Sequence, residues 1–168
     1  MDAKRDYILK NCGFKSEFMP LFSEAENILD SRDSMYAMSR YSTRYLSSLD
    51  LKKFSATRRE NYLALSSRLK KHKEITVIFP ELSAGVIPFL LPVYAPANRS
   101  DFQKFMAKHN VFPTIIWKCP EELIDSLDPK TRKIYDSIIC FHIDQRYDKS
   151  DMEKVADIVD AYFQQNNG

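Results

Sequence analysis

The order of helix-type and strand-type patterns after residue 55 constrains the fold of this chain more than any other feature. Four short apolar segments, rich in β-branched or aromatic residues, read as strands: Ile75–Phe79, Val86–Tyr94, Pro113–Trp117 and Ser137–Asp144. Helix signals stand around them, namely an amphipathic pattern over 56–72, capping boxes at Ser100/Gln103 and Ser150/Glu153, and starts at Pro120 and Asp128-Pro129. This order predicts an α+β fold, with a small antiparallel or mixed sheet of about four strands and helices packed on one face.

The first 54 residues have a different character. Their apolar residues come in short clusters, of which Phe18/Leu21/Phe22 and Tyr41/Tyr45/Leu46 are the clearest, and the 3–4 residue spacing predicts short helices. None of these clusters could close a core of its own. We therefore expect two parts, a helical segment over 1–54 that connects to or lies against something else, and a domain over 55–168.

The segment Val86–Tyr94 contains two prolines that restrict its pairing. Pro88 and Pro92 have the same parity, so both missing N–H donors lie on the same side of the strand. The pattern predicts an edge strand, or one paired only on its other side.

The segment Ser137–Asp144 alternates strictly between apolar and polar positions. One face carries Ile139, Phe141 and Ile143, and the other carries Cys140, His142 and Asp144. Three potential ligands on one face are compatible with a metal ion, but metal sites draw ligands from several elements and no further motif completes this one. We predict no metal site and interpret these residues as the polar outer face of the strand.

Charge and cysteine usage narrow the functional classes. A total of 25 Lys and Arg against 23 Asp and Glu gives a net charge of +2, too weak to indicate nucleic acid or an anionic membrane as a partner. The N-terminal sequence is charged, and the apolar stretch 85–96 is far short of the ~20 residues that span a bilayer. Three widely spaced cysteines without a CxxC pair fit a reducing compartment. We expect a cytoplasmic protein that binds neither nucleic acid nor membrane.

Several segments of the sequence resemble those of one enzyme family. The helix TRRENYLALSSRLKKH, the helix start NRSDF, the strand ending in IIW and the segment IICFHIDQRYDKSDMEKVADIV follow one another in the order of a known domain. They resemble the C-terminal small domain of fold-type I pyridoxal-phosphate (PLP) aminotransferases, closest to the sugar-nucleotide branch. The resemblance implies the small-domain portion of a sugar-type aminotransferase, inactive by itself because the PLP-lysine domain is absent.

The glycine content agrees with that implication. The chain has only three glycines, Gly13, Gly85 and Gly168, whereas phosphate cradles made of backbone N–H groups are usually built from clustered glycines. We therefore expect no cofactor bound by this chain alone, with PLP implied only for a full-length relative. The expected partner is a large domain or a second copy of the chain, which would cover the apolar clusters of residues 1–54.

The resemblance also implies candidate substrate-binding residues but no catalytic ones. Small-domain arginines of the family often hold the carboxylate of the amino donor, and Arg146, followed by Tyr147, is the candidate by location. Trp117 would lie near the substrate mouth. Each has a structural alternative, since Arg146 could be a local salt-bridge anchor between Asp144 and Asp148, and Trp117 could cap the core.

Two other classes of function remain open from the sequence. The chain could be a stand-alone, non-catalytic α+β binding or assembly module that kept the small-domain fold. A more remote alternative is a small enzyme that uses the face with Cys140, His142 and Asp144. No Ser or Cys stands in a nucleophile-elbow motif, and we interpret all three cysteines as structural.

Overall fold

The chain divides into two compact units, residues 1–49 and 50–168. The computed structural model describes residues 7, 10, 12–32 and 34–166. The expected division at 54/55 lies inside a helix that begins at Leu51. Within the described residues, no helix has both the length and the apolar character needed to cross a membrane.

The first unit contains the short helices that the apolar clusters predict. Helix α1 spans Lys15–Asp30 and helix α2 spans Arg40–Ser47. Ser39 caps α2 by accepting a hydrogen bond from the backbone N–H of Ser42 at 3.1 Å. Phe18 is buried in α1, and its ring centroid lies 5.3 Å from that of Tyr7.

The second unit is an α+β domain, as predicted. Its elements in chain order are α3 Leu51–Leu69, β1 Thr76–Val77, β2 Leu90–Tyr94, α4 Arg99–Lys108, a 3₁₀ helix Glu121–Ser126, α5 Pro129–Ser137, β3 Ile138–His142 and α6 Lys149–Asn166. The strands pair antiparallel in the order β1-β2-β3, with Val93 opposite Ile139 in the register of the second pair. Among the described residues the sheet has three strands rather than four.

The missing fourth strand is reduced to a single bridge. Thr114 and Cys140 exchange backbone hydrogen bonds of 2.9 and 2.8 Å, but no ladder continues toward Trp117. The next bonded pair would join Ile116 to Ile138, and the carbonyl of Ile138 already accepts a hydrogen bond from Arg99 Nη1 at 3.3 Å. A side chain of α4 thus bonds to the same acceptor that a longer strand would use.

The prediction that β2 is an edge strand, or is paired on one side only, is wrong. This strand lies in the centre of the sheet and pairs with both neighbours. Pro88 precedes the strand, so only Pro92 lies within the ladder. The carbonyl of Pro92 accepts a hydrogen bond from Ile78 N–H at 3.3 Å. The proline nitrogen, which has no hydrogen to donate, faces β1. Because β1 has only two residues, the sheet loses few hydrogen bonds there.

Helix starts also differ from the predicted capping boxes at two places. Asn98, not Ser100, caps α4 by accepting from Asp101 N–H at 3.2 Å. Asp148, not Ser150, caps α6 by accepting from Asp151 N–H at 3.1 Å. In both cases an Asn or Asp two residues upstream provides the side-chain oxygen, and such oxygens are at least as good as a serine hydroxyl in this position.

One apolar layer joins the sheet to the helices of the second unit. The strands contribute Val77, Leu91, Val93, Ile139 and Phe141, all of them buried. Helix α3 contributes Tyr62, Leu65 and Leu69, while α4 and α6 contribute Phe102, Met106, Met152, Ala156 and Val159. The Phe102 ring lies edge-on to Tyr162 at a centroid distance of 4.9 Å. The helices therefore cover one face of the sheet, as the alternation in 137–144 predicts. The predicted polar outer face is wrong for Cys140 and Asp144, which are also buried, and only His142 is exposed.

A polar cluster links the ends of α3 and α6 beside this layer. Asp160 accepts from Arg68 Nη2 at 2.6 Å and pairs with His72 Nε2 at 2.6 Å, and Arg68 also reaches Asp157 at 2.8 Å. Burial acts to raise the pKa of Asp160, but the hydrogen bonds from Arg68 and His72 outweigh it and hold the pKa below its usual range. The His72 ring stacks on Phe163 at 4.5 Å.

We predict that Asp160→Asn lowers the free energy of unfolding by about 1 kcal/mol at pH 7, because it weakens two charge-assisted hydrogen bonds. Since the folded-state pKa of Asp160 is lowered, its contribution is present above the unfolded value of about 4 and is lost as the pH falls through the folded value. Urea unfolding at pH 7 and pH 3 measures both effects. Asp157→Asn, at a more exposed carboxylate, is the control, and an equal loss for the two variants would contradict the prediction.

Candidate functional site

The turn between β3 and α6 is organised by an ion pair between neighbouring residues. Arg146 Nε and Nη2 donate to the two carboxylate oxygens of Asp144 at 2.7 and 2.8 Å, and Arg146 N–H donates to Oδ1 at 3.1 Å. The side-chain hydrogen bonds from Arg146 hold the pKa of Asp144 below its usual range, although burial acts in the opposite direction. The same bonds raise the pKa of Arg146. The geometry is that of the salt-bridge anchor, formed with Asp144 alone.

A buried asparagine of α3 holds this turn in place. Asn61 Nδ2 donates to the carbonyl oxygens of Ile143 at 3.3 Å, Asp144 at 3.3 Å and Tyr147 at 2.9 Å. Asn61 is fully buried, and its Oδ1 has no hydrogen-bond partner among the described residues. Sequence reasoning missed this residue. The sequence does contain a signal for it: Asn61 lies four residues before Leu65, on the apolar stripe of the helix, where a polar side chain must find buried hydrogen-bond partners.

Two arginines of α3, Arg58 and Arg59, fix the neighbouring loops. Arg58 Nε donates to Gln145 Oε1 at 2.8 Å, and Nη1 donates to the carbonyls of Pro88 and Phe89 at 3.2 and 3.1 Å. Arg59 Nη1 donates to the carbonyls of Ser83, at 3.0 Å, and Val86. A loop without regular secondary structure leaves carbonyls unpaired, and these guanidinium groups satisfy several of them.

A pocket of about 430 Å³ lies beside the anchored turn. Its polar lining comes from α6, the residues just after α4, the end of β3 and the β3–α6 turn: His109, Asn110, His142, Arg146, Asp151 and Lys154. Tyr147 and Phe112 add aromatic surface, and the Arg146 Cζ lies 5.7 Å from the centre of the Tyr147 ring. Cationic groups beside an apolar wall are suited to a small ligand that carries a carboxylate.

The structure brings together two of the three sequence-predicted site residues. Arg146 and Tyr147 both line this pocket. Trp117 does not, and with 79% of its surface exposed it does not cap the core either. The strand predicted to end at Trp117 stops after the Thr114 bridge, so the indole is left on an exposed loop.

The polar face of β3 does not assemble a metal site. Cys140 is buried, and burial raises the pKa of its thiol, so the thiolate that binds metals is disfavoured. Asp144 is engaged with Arg146, while His142 is exposed. Within the described residues, no group of three or more His, Cys, Asp or Glu side chains is placed to hold a metal ion. The same geometry gives no support to a Cys140 nucleophile.

Among the described residues, no lysine is enclosed in a site that could hold PLP. Three helix starts that could receive a phosphate are already occupied by the carboxylates of Asp50, Asp128 and Asp148, which accept backbone N–H bonds at 2.9, 2.9 and 3.1 Å. A Cβ added at Gly85 would meet no atom within 4 Å, so this glycine forms no close cradle. Every lysine whose side chain is described is exposed, whereas PLP enzymes hold their lysine within the cofactor site.

Comparisons with known proteins identify the fold. No family model matches the chain, and no curated protein matches it. Among solved structures, the aminotransferase TlmJ from Streptoalloteichus hindustanus is similar with a TM-score of 0.60 and 21% identity over 70% of this chain and 34% of that one. A DegT DnrJ EryC1 StrS aminotransferase from Brucella abortus is similar with a TM-score of 0.53 and 15% identity, over 67% and 32% of the two chains.

The likeness therefore concerns part of an aminotransferase fold. This chain spans about a third of the length of each matched structure. The resemblance read from the sequence is confirmed at this coarser level, as an aminotransferase-like partial fold.

We predict that Asn61→Ala lowers the free energy of unfolding by roughly 2 kcal/mol, because it leaves buried carbonyls of the β3–α6 turn without a donor. Urea unfolding followed by circular dichroism measures the loss. Gln145→Ala is the matched control, since Gln145 belongs to the same turn but is exposed. Equal losses within about 0.5 kcal/mol for the two variants would show that the amide does not support the turn.

Proposed function

We propose that this chain serves as the small-domain portion of a PLP-dependent aminotransferase of the sugar-nucleotide type and is inactive by itself. The observation that carries the proposal is the structural match of 70% of this chain to only 34% of an aminotransferase. PLP and its lysine would belong to a large domain that packs beside this one. The lack of an enclosed lysine among the described residues supports that division of roles.

In this proposal the pocket beside the β3–α6 turn contributes to substrate binding. Arg146 uses Nε and Nη2 for Asp144, and its Nη1 donates to no residue that the structure describes. Its side chain is 72% exposed, so Nη1 remains accessible to one carboxylate oxygen of an amino donor. Tyr147 would contact the same ligand, and Trp117 would offer an exposed aromatic face to a sugar or base.

A second candidate function is a stand-alone, non-catalytic binding or assembly module. The core of residues 50–168 favours it, because a closed apolar layer allows this unit to fold without a further domain. The two proposals predict different genes beside the one that encodes this chain. A neighbouring frame that encodes a PLP domain, and whose product copurifies with this chain as a yellow complex, would support the aminotransferase; a frame of unrelated type would support the module.

We predict that the purified chain forms no stable PLP adduct on any single lysine. Incubation with PLP, reduction with borohydride and peptide mass spectrometry would then show only low, scattered labelling of exposed lysines. An aminotransferase that binds PLP on its own chain is the positive control. A stoichiometric adduct on one lysine, with a visible absorption band that survives dialysis, would contradict the proposal that a separate domain supplies the cofactor site.

The proposed partner of the first unit is a second copy of the chain. Leu21, Ile28 and Leu29 form an apolar stripe on α1 and are 56%, 44% and 63% exposed. Leu21 and Ile28 are seven residues apart, a spacing that allows two antiparallel copies of the helix to pack along the same stripe. Such a patch on a monomer would be unusual.

We predict that Leu21→Ser combined with Ile28→Ser shifts the chain from dimer toward monomer, because each change removes apolar surface worth ~25 cal/mol per Å² buried. Size-exclusion chromatography with light scattering measures the mass. Asn27→Ser, on the opposite side of α1, should leave assembly unchanged. A wild-type chain that stays monomeric at high concentration would rule out this dimer.

A further inference from the structure

A second pocket in the second unit is lined by charged residues to which the proposed function assigns no role. It has a volume of about 290 Å³ and lies where the start of α4, the loop after Thr114, the 3₁₀ helix and α5 meet. None of its lining residues belongs to the pocket beside the β3–α6 turn. Its walls combine charged side chains with three aliphatic ones, Ile115, Ile124 and Leu127.

The charged lining of this pocket is unbalanced. The lining contains three cations, Arg99, Lys118 and Arg132, and one carboxylate, Asp136, which leaves a surplus of two positive charges. None of the three cations forms a salt bridge with a carboxylate of the described residues. Lys118 also has no side-chain hydrogen bond there. Unpaired cations that line a concave surface concentrate positive potential and attract anions.

Two of these cations are held in place by neutral groups. Arg99 Nη1 donates to the carbonyls of Tyr135 and Ile138 at 2.6 and 3.3 Å. Arg132 Nη1 donates to the carbonyl of Ile124 at 3.3 Å. Each guanidinium is therefore oriented through one nitrogen, while its other nitrogens donate to no residue that the structure describes and its charge is not neutralised. A guanidinium fork oriented in advance is suited to two oxygens of a phosphate.

We propose that this pocket binds a phosphate-bearing ligand, up to the size of a diphosphate with a small organic group. A monocarboxylate would leave positive charge uncompensated, whereas the dianion of a phosphate monoester or of a doubly substituted diphosphate matches the surplus of two charges. The volume lies just below the usual range for ligand sites, which favours a compact ligand. The aliphatic wall would contact its carbon portion.

Two residues at this site provide direct reporters of binding. Cys119 lines the pocket and is partly exposed, whereas Cys140 is buried and Cys12 belongs to the first unit. Trp117, the single tryptophan of the chain, is exposed one residue before Lys118. Ligand binding should therefore slow alkylation of Cys119 and change the tryptophan fluorescence, while alkylation of Cys12 serves as an internal control.

The experiment measures the alkylation rate of Cys119 in the full chain by peptide mass spectrometry, with pyrophosphate as the probe. At a concentration ten times the dissociation constant from the fluorescence titration, mass action predicts a rate about tenfold lower. Sodium chloride of equal ionic strength should have little effect. If pyrophosphate gives no protection at millimolar concentration, or protects no better than chloride, the proposal is wrong.

Matched variants test whether the named cations bind the ligand. Arg132→Gln should weaken pyrophosphate binding roughly tenfold, the loss expected for one charge-assisted hydrogen bond. Lys133→Gln removes an equal charge from the same helix but outside the pocket, and should leave binding unchanged. If Arg132→Gln unfolds, Lys118→Gln is the second test variant, because the Lys118 side chain forms no hydrogen bond with the described residues. Equal weakening by the pocket variants and by Lys133→Gln would indicate nonspecific charge attraction and overturn the proposal.

Discussion

The amide of Asn61 connects the core of the second unit to its surface. It lies on the buried stripe of α3, yet its Nδ2 serves three carbonyls of the turn that follows β3. Arg58 and Arg59, three and two residues before it in the chain, donate to the carbonyls of the loop that precedes β2. One stretch of helix thus provides donors for two segments without regular structure, and the apolar layer beneath fixes the helix that carries them. Because a buried carbonyl without a donor costs about 1–3 kcal/mol, the shape of the β3–α6 turn depends on this contact.

This arrangement explains why Arg146 can be both anchored and exposed. Asp144 is buried, and its carbonyl is held by Asn61, so the carboxylate has a fixed position from which it accepts two bonds of the guanidinium. The pairing orients Arg146 without burying it, since most of its side chain stays in contact with solvent. Arg146 can therefore both anchor the turn and bind a ligand, because Nε and Nη2 pair with Asp144 while Nη1 is left for the ligand.

Local patterns in the sequence predicted the elements of the fold, and their failures have specific causes. The alternation around Phe141 was sufficient to place one face of β3 in the core, since that pattern depends only on the period of a strand. The shortening of the fourth strand to a single bridge at Thr114 was not predicted, because the contact of Arg99 with the carbonyl of Ile138 comes from another element and is not visible in the strand's own sequence. The central position of β2 was not predicted, because Pro92 removes a backbone donor only on the side that faces β1. A neighbour as short as β1 needs few donors, and the length of β1 cannot be read from the sequence of β2. Arg146 and Tyr147 were found by position in a motif, whereas Asn61 became apparent only once its distant carbonyl partners were placed.

The small net charge of the chain conceals a local separation that only the fold reveals. In the pocket beside the β3–α6 turn, Asp151 lines the wall and Asp144 lies behind Arg146, so carboxylates offset much of the positive charge. In the second pocket the arginines are held instead by main-chain carbonyls, which orient a guanidinium without cancelling its charge. Whether an arginine is fixed by a carboxylate or by a carbonyl thus decides how much of its charge remains for a ligand. Two pockets built from the same residue types in one unit are therefore suited to different anions, the first to a weakly charged group and the second to a dianion.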